Sequence, residues 1–397
     1  MSRYHYLSLF SGGGGFDAGL QAAGLRCQVA VDHDALALEH LAGNLKIRTA
    51  AADLTKVRPS SFSEPDVIVA GPPCQGFSTL GKREKSDPRN ELLVVPARFA
   101  CELRPRFVII ENVSGARSPL NRHHLEESRL LLQAAGYKVT TIDVEMGWFG
   151  IAQRRRRTIQ FAWQGNGEFR LPSTSSGQYP RLDDVLRDLG GVANHDPIPL
   201  APGSRSARIA RAIQPGQKLC NVRVSPAAVR TWAIPDVFGK TSQSARDVLE
   251  ALVRLRRRAR KRNWGDADPV GARELTRYVG FPVHSTLKRL LAQGYIRRCD
   301  DAYDLVNTFN GKYRRPSPEG LAPTVDTRFC DAHYVLHPHE DRPFTIREAA
   351  RVQGFPDQYR FWGSQRAQRR LIANAVPPPA GEAIGRAVSE FLNFDRT

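Results

Sequence analysis

The chain has 397 residues, enough to bury a full core and to form two or three domains. Hydrophobic residues make up 41% and charged residues 25%, the balance of a soluble globular protein, and no apolar run approaches the length of a membrane span. A net charge of +18, carried mainly by arginine, makes a polyanion the leading partner class, while six scattered cysteines with no CxxC pair argue against a disulfide framework or zinc ribbon.

The N-terminus MSRYHYLSLF lacks a signal-peptide layout and enters directly into a strand pattern, so a reducing cytosol is the expected compartment. Apolar runs predict strands at Tyr4–Phe10, Cys27–Val31, Thr49–Ala52, Val67–Ala70, Phe107–Ile110, Val139–Glu145 and Thr158–Ala162. Between them lie helical patterns at Asp17–Ala23, Ala35–Leu45, Leu92–Leu103 and Leu125–Ala135. This alternation predicts an α/β fold, a doubly wound, Rossmann-like and mostly parallel sheet with helices on both faces. The pattern breaks near Trp163, and a Gly-, Ser- and Pro-rich stretch follows to about Arg205. Helical order resumes at Ser244–Lys261, which carries a dense run of arginines. From about Asp341 the texture is again α/β, with amphipathic helices at Ile346–Val352 and Gly381–Phe391. The expected division is a first domain of 1–165 completed by 336–397, interrupted by a second of 166–335.

In an open parallel sheet, ligands bind outside the carboxyl ends of the strands, and the informative residues fall there. After the first strand comes Phe10-Ser11-Gly12-Gly13-Gly14-Gly15-Phe16, a glycine turn that lets a ligand approach the backbone and that lacks the Gly-Lys-Ser/Thr of a P-loop. After the second stands Asp32, about 20 residues from the glycines, a spacing that suits a carboxylate on ribose hydroxyls. After the third stands Asp53, placed to accept from an exocyclic amine; a helix N-cap is the competing reading of each Asp. After the fourth, two prolines stiffen a turn that presents Cys74, in Gly71-Pro72-Pro73-Cys74-Gln75-Gly76-Phe77-Ser78. A lone cysteine is more often a small buried hydrophobe, but here Glu111 follows the fifth strand, and a carboxylate after β-branched residues is costly to bury without a role. Before the seventh strand, Gln153-Arg154-Arg155-Arg156-Arg157 places Arg155 and Arg157 on one face, with Arg154 and Arg156 on the solvent side.

These motifs, with DPRNEL, RPFTIREAARVQGFPD and NAVPPPAG behind them, resemble in order those of the DNA (cytosine-5) methyltransferases that use S-adenosylmethionine. The resemblance covers nearly all of residues 1–165 and 340–397. It implies methyl transfer to C5 of a cytosine flipped out of a specific duplex sequence, with Cys74 as the nucleophile at C6. By the same resemblance Glu111 contacts the ring N3 and amine, Arg155 the base carbonyl region, and Arg157 supports the site. The cofactor residues implied are Phe10, Gly12, Gly14, Asp32, His33, Asp53, Leu54, Pro73, Asn374 and Val376, and the product is S-adenosylhomocysteine. Gln75, Ser78, Arg89 and Gln153 are implied DNA contacts. Ser8, Asp32, His33 and Ala373 depart from residues common in the family, but none removes a catalytic group. No metal is implied, and His333, His337 and His339 beside Asp331 and Asp341 are read as loop residues.

Residues 165–335 correspond by position to a target-recognition region. Within it, 244–306 resembles a winged helix: a leading helix, Ala272–Gly280, a turn, Val283–Gly294, then a ribbon turning at Cys299–Ala302. His284, Ser285, Thr286, Lys288 and Arg289 are its candidate DNA contacts. Double-stranded DNA is the expected partner, with a cognate restriction endonuclease acting separately, and a monomer is the expected state. The alternatives are the tRNA-methylating branch of the same fold and a DNA-binding regulator with a vestigial methyltransferase half. The large basic insert favours duplex DNA, and the intact Cys, Glu and Arg motifs argue against the regulator.

Overall fold

A computed structural model describes residues 4–73, 92–118, 122–172, 179–258 and 267–394. In chain order its first part contains β1 (His5–Leu9), α1 (Gly15–Ala22), β2 (Arg26–Asp32), α2 (Ala35–Leu45), β3 (Thr49–Ala51), β4 (Val67–Ala70), α3 (Val95–Leu103), β5 (Phe107–Val113), α4 (Arg122–Ala134), β6 (Lys138–Glu145), β7 (Arg156–Trp163) and α5 (Leu182–Val185). The seven strands form one sheet in the order β3-β2-β1-β4-β5-β7-β6. The first five pair in parallel, and β7 runs antiparallel to both β5 and β6. Parallel neighbours need a long crossover, which the intervening helices supply; β6 and β7 are joined by the short link 146–155 and pair antiparallel.

Both faces of the sheet are covered, so its central strands are continuous apolar runs. Successive side chains of Val67-Ile68-Val69-Ala70 leave in opposite directions. Val67 and Val69 join Tyr6, Phe107, Ile109 and Phe161 in one buried cluster. Ile68 and Ala70 join Leu7, Leu9, Val108 and Ile110 in the other, under Phe99 and Leu103 of α3. Each fully buried side chain of this size contributes about 1.5–3 kcal/mol relative to exposure.

The chain then passes into a second compact unit, made of Pro197–Pro318 and Arg328–Phe344. The first unit consists of Met1–Asp196, Glu319–Thr327 and Thr345–Thr397, so the described residues of 166–196 fold with the sheet rather than with the middle region. In the second unit lie α6 (Arg205–Arg211), β8 (Lys218–Leu219), β9 (Ala228–Val229), α7 (Pro235–Phe238), α8 (Gln243–Arg258), β10 (Val270–Gly271), α9 (Ala272–Val279), α10 (His284–Ala292), β11 (Ile296–Cys299) and β12 (Ala302–Leu305). The last three strands form a small sheet in the order β10-β12-β11. The apolar stripe of α8, with Val248, Leu249 and Leu252 buried, packs with Leu275, Leu287 and Leu290. Arg256 of α8 is buried and donates to Asp304 of β12 at 2.8 and 3.3 Å.

The chain returns to the first unit with α11 (Ile346–Val352), α12 (Gln365–Asn374) and α13 (Pro378–Phe394). Thr345 and Glu348 form a reciprocal capping box that starts α11, and Ser364 caps α12. Helix α13 lies directly on α1: a Cβ at Gly19 would collide with the Pro378 carbonyl, and one at Gly381 would come 2.8 Å from the Phe16 carbonyl. The backbones meet because neither position carries a side chain.

Candidate active site at the carboxyl edge of the sheet

The strand register sets the site. Leu9 stands level with Val31 and Ala70, Asp32 with Ala51, and Ala70 with Ile110. The residues that follow therefore emerge side by side along one edge. They are the glycine turn, Asp32, Asp53, the proline turn and Glu111. Cys74, Gln75, Ser78 and Arg89 lie outside the described residues.

The glycine turn is a strained, pinned loop. Phe10, Gly12 and Gly14 all have positive φ, at 54°, 52° and 76°. Only Gly adopts these values without cost, so half-buried Phe10 is held there by its surroundings. Asp32 supplies part of that hold. Its Oδ2 accepts from Gly12 N at 2.8 Å, its Oδ1 accepts from Asp34 N at 2.9 Å, and exposed His33 places Nδ1 3.1 Å from Oδ1. A carboxylate retains further lone pairs for a ligand. No described atom lies within 4 Å of where a Gly12 Cβ would stand, so among the described residues the space over the turn is open. This open, glycine-walled edge beside a buried carboxylate fits a nucleoside.

Asp53 is exposed and accepts from Thr55 N at 3.1 Å and Thr55 Oγ1 at 2.7 Å. Those hydrogen bonds, with Lys56 nearby, hold its carboxyl below the usual range. No helix starts at Asp53, so it is not an N-cap; its side chain closes a short turn after β3, and the residue is exposed. Leu54 is buried in the core beneath it. Asn374 is exposed at the end of α12 and Val376 is buried, with its carbonyl against Gly15. Leu371 packs on Gly13, and Tyr359 donates its hydroxyl to the Gly13 carbonyl.

Glu111 is 8% exposed, and Arg157 Nε stands 2.9 Å from its Oε1. The N–H is not aimed along that line, so among the described residues this oxygen is charge-paired yet has no hydrogen bond. A buried carboxylate oxygen without a donor is costly, and a ligand bearing an N–H would satisfy it. Next to it, Asn112 donates Nδ2 to the Pro72 carbonyl at 3.2 Å and ties β5 to the proline turn.

Three expectations from sequence are corrected. Arg155 is not a base contact. It is 2% exposed, and its guanidinium donates to the carbonyls of Ala375 at 2.9 Å, Ala373 at 3.1 Å and Val325 at 3.4 Å. Arg155 and Arg157 do share a strand face, but burial separates their tasks: only Arg157 reaches Glu111. Gln153 is likewise no DNA contact. It is fully buried, donates to Val352 O at 3.1 Å and to Gln353 Oε1, and accepts from Val325 N at 3.1 Å. In the second unit Thr286 is 4% exposed and is removed from the DNA-facing set, whereas His284, Ser285, Lys288 and Arg289 are exposed.

Residues given no role from sequence also shape the site. Gln353 donates to the Ala375 carbonyl at 2.6 Å, and Tyr359 and Asn112 pin the two turns. Gln353 sits in a quoted motif, RVQGFPD, and the polar residue amid apolar ones was the available signal. Tyr359 carried none, because its partner is 346 positions away. Among the described residues no three His, Cys, Asp or Glu groups converge as a metal site would require.

Comparison with known proteins bears on these features. Residues 4–390 match the sequence profile of a family described as C-5 cytosine-specific DNA methylase. The Type II methyltransferase M.DdeI of Desulfomicrobium norvegicum is 28% identical, over 97% of this chain and 88% of its own length. M.HgiCII of Herpetosiphon aurantiacus, also a Type II methyltransferase, is 27% identical over 98% and 97%. Among solved structures, the Dnmt2 methyltransferase of S. pombe shares the fold, with a TM-score of 0.53, 17% identity and full coverage of both chains.

Proposed function

The chain belongs to the C-5 cytosine-specific DNA methylase family, an S-adenosylmethionine-dependent DNA cytosine methyltransferase, and from that premise we propose how its own residues carry the reaction. The substrate is a cytosine within a specific duplex sequence, flipped out of the stack at a cost of a few kcal/mol because C5 is unreachable inside the helix. Cys74, as thiolate, adds to C6 and makes C5 enamine-like. S-adenosylmethionine supplies an electrophilic methyl group when bound. After transfer a base removes the C5 proton, the C6–S bond breaks, and the thiolate returns.

The observation that carries this reading is Glu111, buried beside Arg157 with one oxygen short of a donor. A cytosine offers what that oxygen lacks, an exocyclic N–H; Glu111 also faces ring N3, to which it passes a proton as the thiolate adds and from which it recovers that proton when the C6–S bond breaks. Arg157, 2.9 Å from Glu111 Oε1, is the residue we assign to donate to the base carbonyl O2. Phe10, Gly12, Gly14, Asp32, His33, Asp53, Leu54, Pro73, Asn374 and Val376 hold the methyl donor. Leu54 acts from the core by shaping the floor. Gln75, Ser78 and Arg89 contact the DNA around the flipped base. The catalytic domain is the sheet-bearing part, and the inserted part recognises the target. The Type II relatives support a restriction–modification pairing in a bacterial cytoplasm, with the endonuclease acting separately and this chain working as a monomer.

Bisulfite sequencing of DNA from a methylation-free host expressing the chain tests the activity. One protected sequence context is expected, lost in Cys74→Ser. A duplex with 5-fluorocytosine at that site should form an adduct stable to denaturant only when Cys74 and S-adenosylmethionine are both present. Glu111→Gln should lower turnover by about 10²–10⁴-fold. Full turnover in Cys74→Ser would overturn the covalent route. Methyl transfer to tRNA alone would overturn the DNA substrate.

A further inference from the structure

The charge of this protein is not spread evenly. The second unit, residues 197–318 and 328–344, holds 26 Lys and Arg against 12 Asp and Glu, a surplus of 14 out of the chain's +18. The sheet-bearing unit is close to balanced. The inserted unit is therefore where a polyanion would be gathered.

Within that unit the charges on α9, α10 and the β11–β12 ribbon differ in availability. On the ribbon, Arg297 donates to Asp304 at 3.1 Å. Arg298 donates to the Asp300 carbonyl at 2.9 Å and stands 3.8 Å from Asp301. Asp300 and Asp301 are both exposed at the turn. The ribbon tip is thus self-neutralised and edged with carboxylates, which repel phosphate. The two helices are different. Leu275 of α9 and Thr286, Leu287 and Leu290 of α10 face the interior, which turns Arg273 and Arg277 of α9, and His284, Ser285, Lys288 and Arg289 of α10, to solvent. Pairs four apart, 273 with 277, 284 with 288 and 285 with 289, share a stripe on their helix. Among the described residues Arg273, Arg277 and Lys288 form no ion pair, and Arg289 only donates to Ser242 Oγ at 3.3 Å. Glu274 is the one exposed carboxylate on these two helices.

We propose that the α9–α10 face is the surface of the inserted unit that grips duplex DNA, and that the β11–β12 ribbon is not. Arg273, Arg277, Lys288 and Arg289 neutralise phosphates. His284 and Ser285, in the first turn of α10, reach base edges, as the N-terminal residues of a recognition helix do. This rests on DNA being the methyl acceptor and specifies which part of the insert holds it.

The test uses the full chain and a fluorescent duplex containing the sequence it methylates, with affinity measured by anisotropy from low to moderate salt. Each phosphate neutralised contributes roughly 0.9 to the slope of log affinity against log salt. Arg277→Gln/Lys288→Gln should lower that slope by nearly twice this amount, while Arg298→Gln leaves it unchanged. His284→Ala should keep the slope and broaden the methylated contexts read by bisulfite sequencing. Circular dichroism of each variant checks the fold, and Lys288→Glu, which reverses charge on an exposed position, should weaken binding further than Lys288→Gln. A wild-type slope in the double variant, or an equal loss in Arg298→Gln, overturns the assignment. Methyl transfer by the wild type to the same duplex is followed in parallel. Transfer with unchanged slopes sinks this inference alone; transfer to tRNA but not to DNA sinks the substrate reading with it.

Discussion

At the scale of single residues, burial decides what each polar group can do. Asp17 of α1 is wholly buried, and desolvation is the main reason its carboxyl rises from 3.8 to about 6. The Ser8 and Tyr6 hydroxyls pull it down only partly, and neither carboxylate oxygen has a well-formed hydrogen bond among the described residues. The folded protein therefore holds a proton that the unfolded chain releases between about pH 4 and pH 6. The stability from that proton is full below pH 4, declines as pH rises to 6, and is absent above. Asp17→Asn should stabilise the fold by up to about 3 kcal/mol at pH 7.5, and by much less at pH 4.5. Urea unfolding at both pH values measures this, and an equal effect at both would refute it. Arg155 illustrates the opposite case, a buried charge whose two terminal nitrogens donate to carbonyls. Arg155→Met removes that donor from three carbonyls; Ala375 keeps Gln353, and each carbonyl left unsatisfied costs about 1–3 kcal/mol. Because two of them, Ala373 and Ala375, flank Asn374, KM for S-adenosylmethionine should rise several-fold more than KM for DNA. An equal rise in both would point to general destabilisation instead.

At the scale of elements, paired contacts fix how helices and strands meet. Arg256 and Asp304 join α8 to β12 inside the second unit. Burial alone would raise the Asp304 carboxyl, but Arg256 first, and Arg297 after it, hold it below the usual range. Asp304→Ala strands a buried guanidinium and should cost about 3–5 kcal/mol, while Arg256→Met/Asp304→Leu should recover most of that. Chemical denaturation of the three proteins decides it; a double variant as weak as the single would show that the pair is not replaceable by packing. At this scale the sequence was largely legible. The seven strands match apolar runs because both sheet faces are covered, and the predicted helices match 3.6-residue periodicity. The antiparallel β7 and the third strand β10 were not legible, since two residues of strand pairing leave no pattern and strand direction has no local signature.

At the scale of the whole molecule, the sheet-bearing unit is closed by its last helix. Helix α13 buries Ile384, Val388 and Leu392 against the sheet and meets α1 through Gly19 and Gly381. Truncation after residue 376 should expose that face, abolish cooperative unfolding of the sheet-bearing unit and eliminate S-adenosylmethionine binding by calorimetry; a truncated chain that still binds would contradict this. The sequence by itself determined the fold class, the family and the edge of the sheet where the chemistry gathers. Strand periodicity and short motifs are local, and parallel topology sends every strand end to one side. It could not assign tasks within a motif. In Gln153-Arg154-Arg155-Arg156-Arg157 the alternation separates inner from outer residues. Only the tertiary structure decides that Arg155 meets carbonyls from 218 and 220 positions away while Arg157 meets Glu111. The physical reason is that a side chain's partners in a closed core come from segments remote in sequence, and burial leaves it no others.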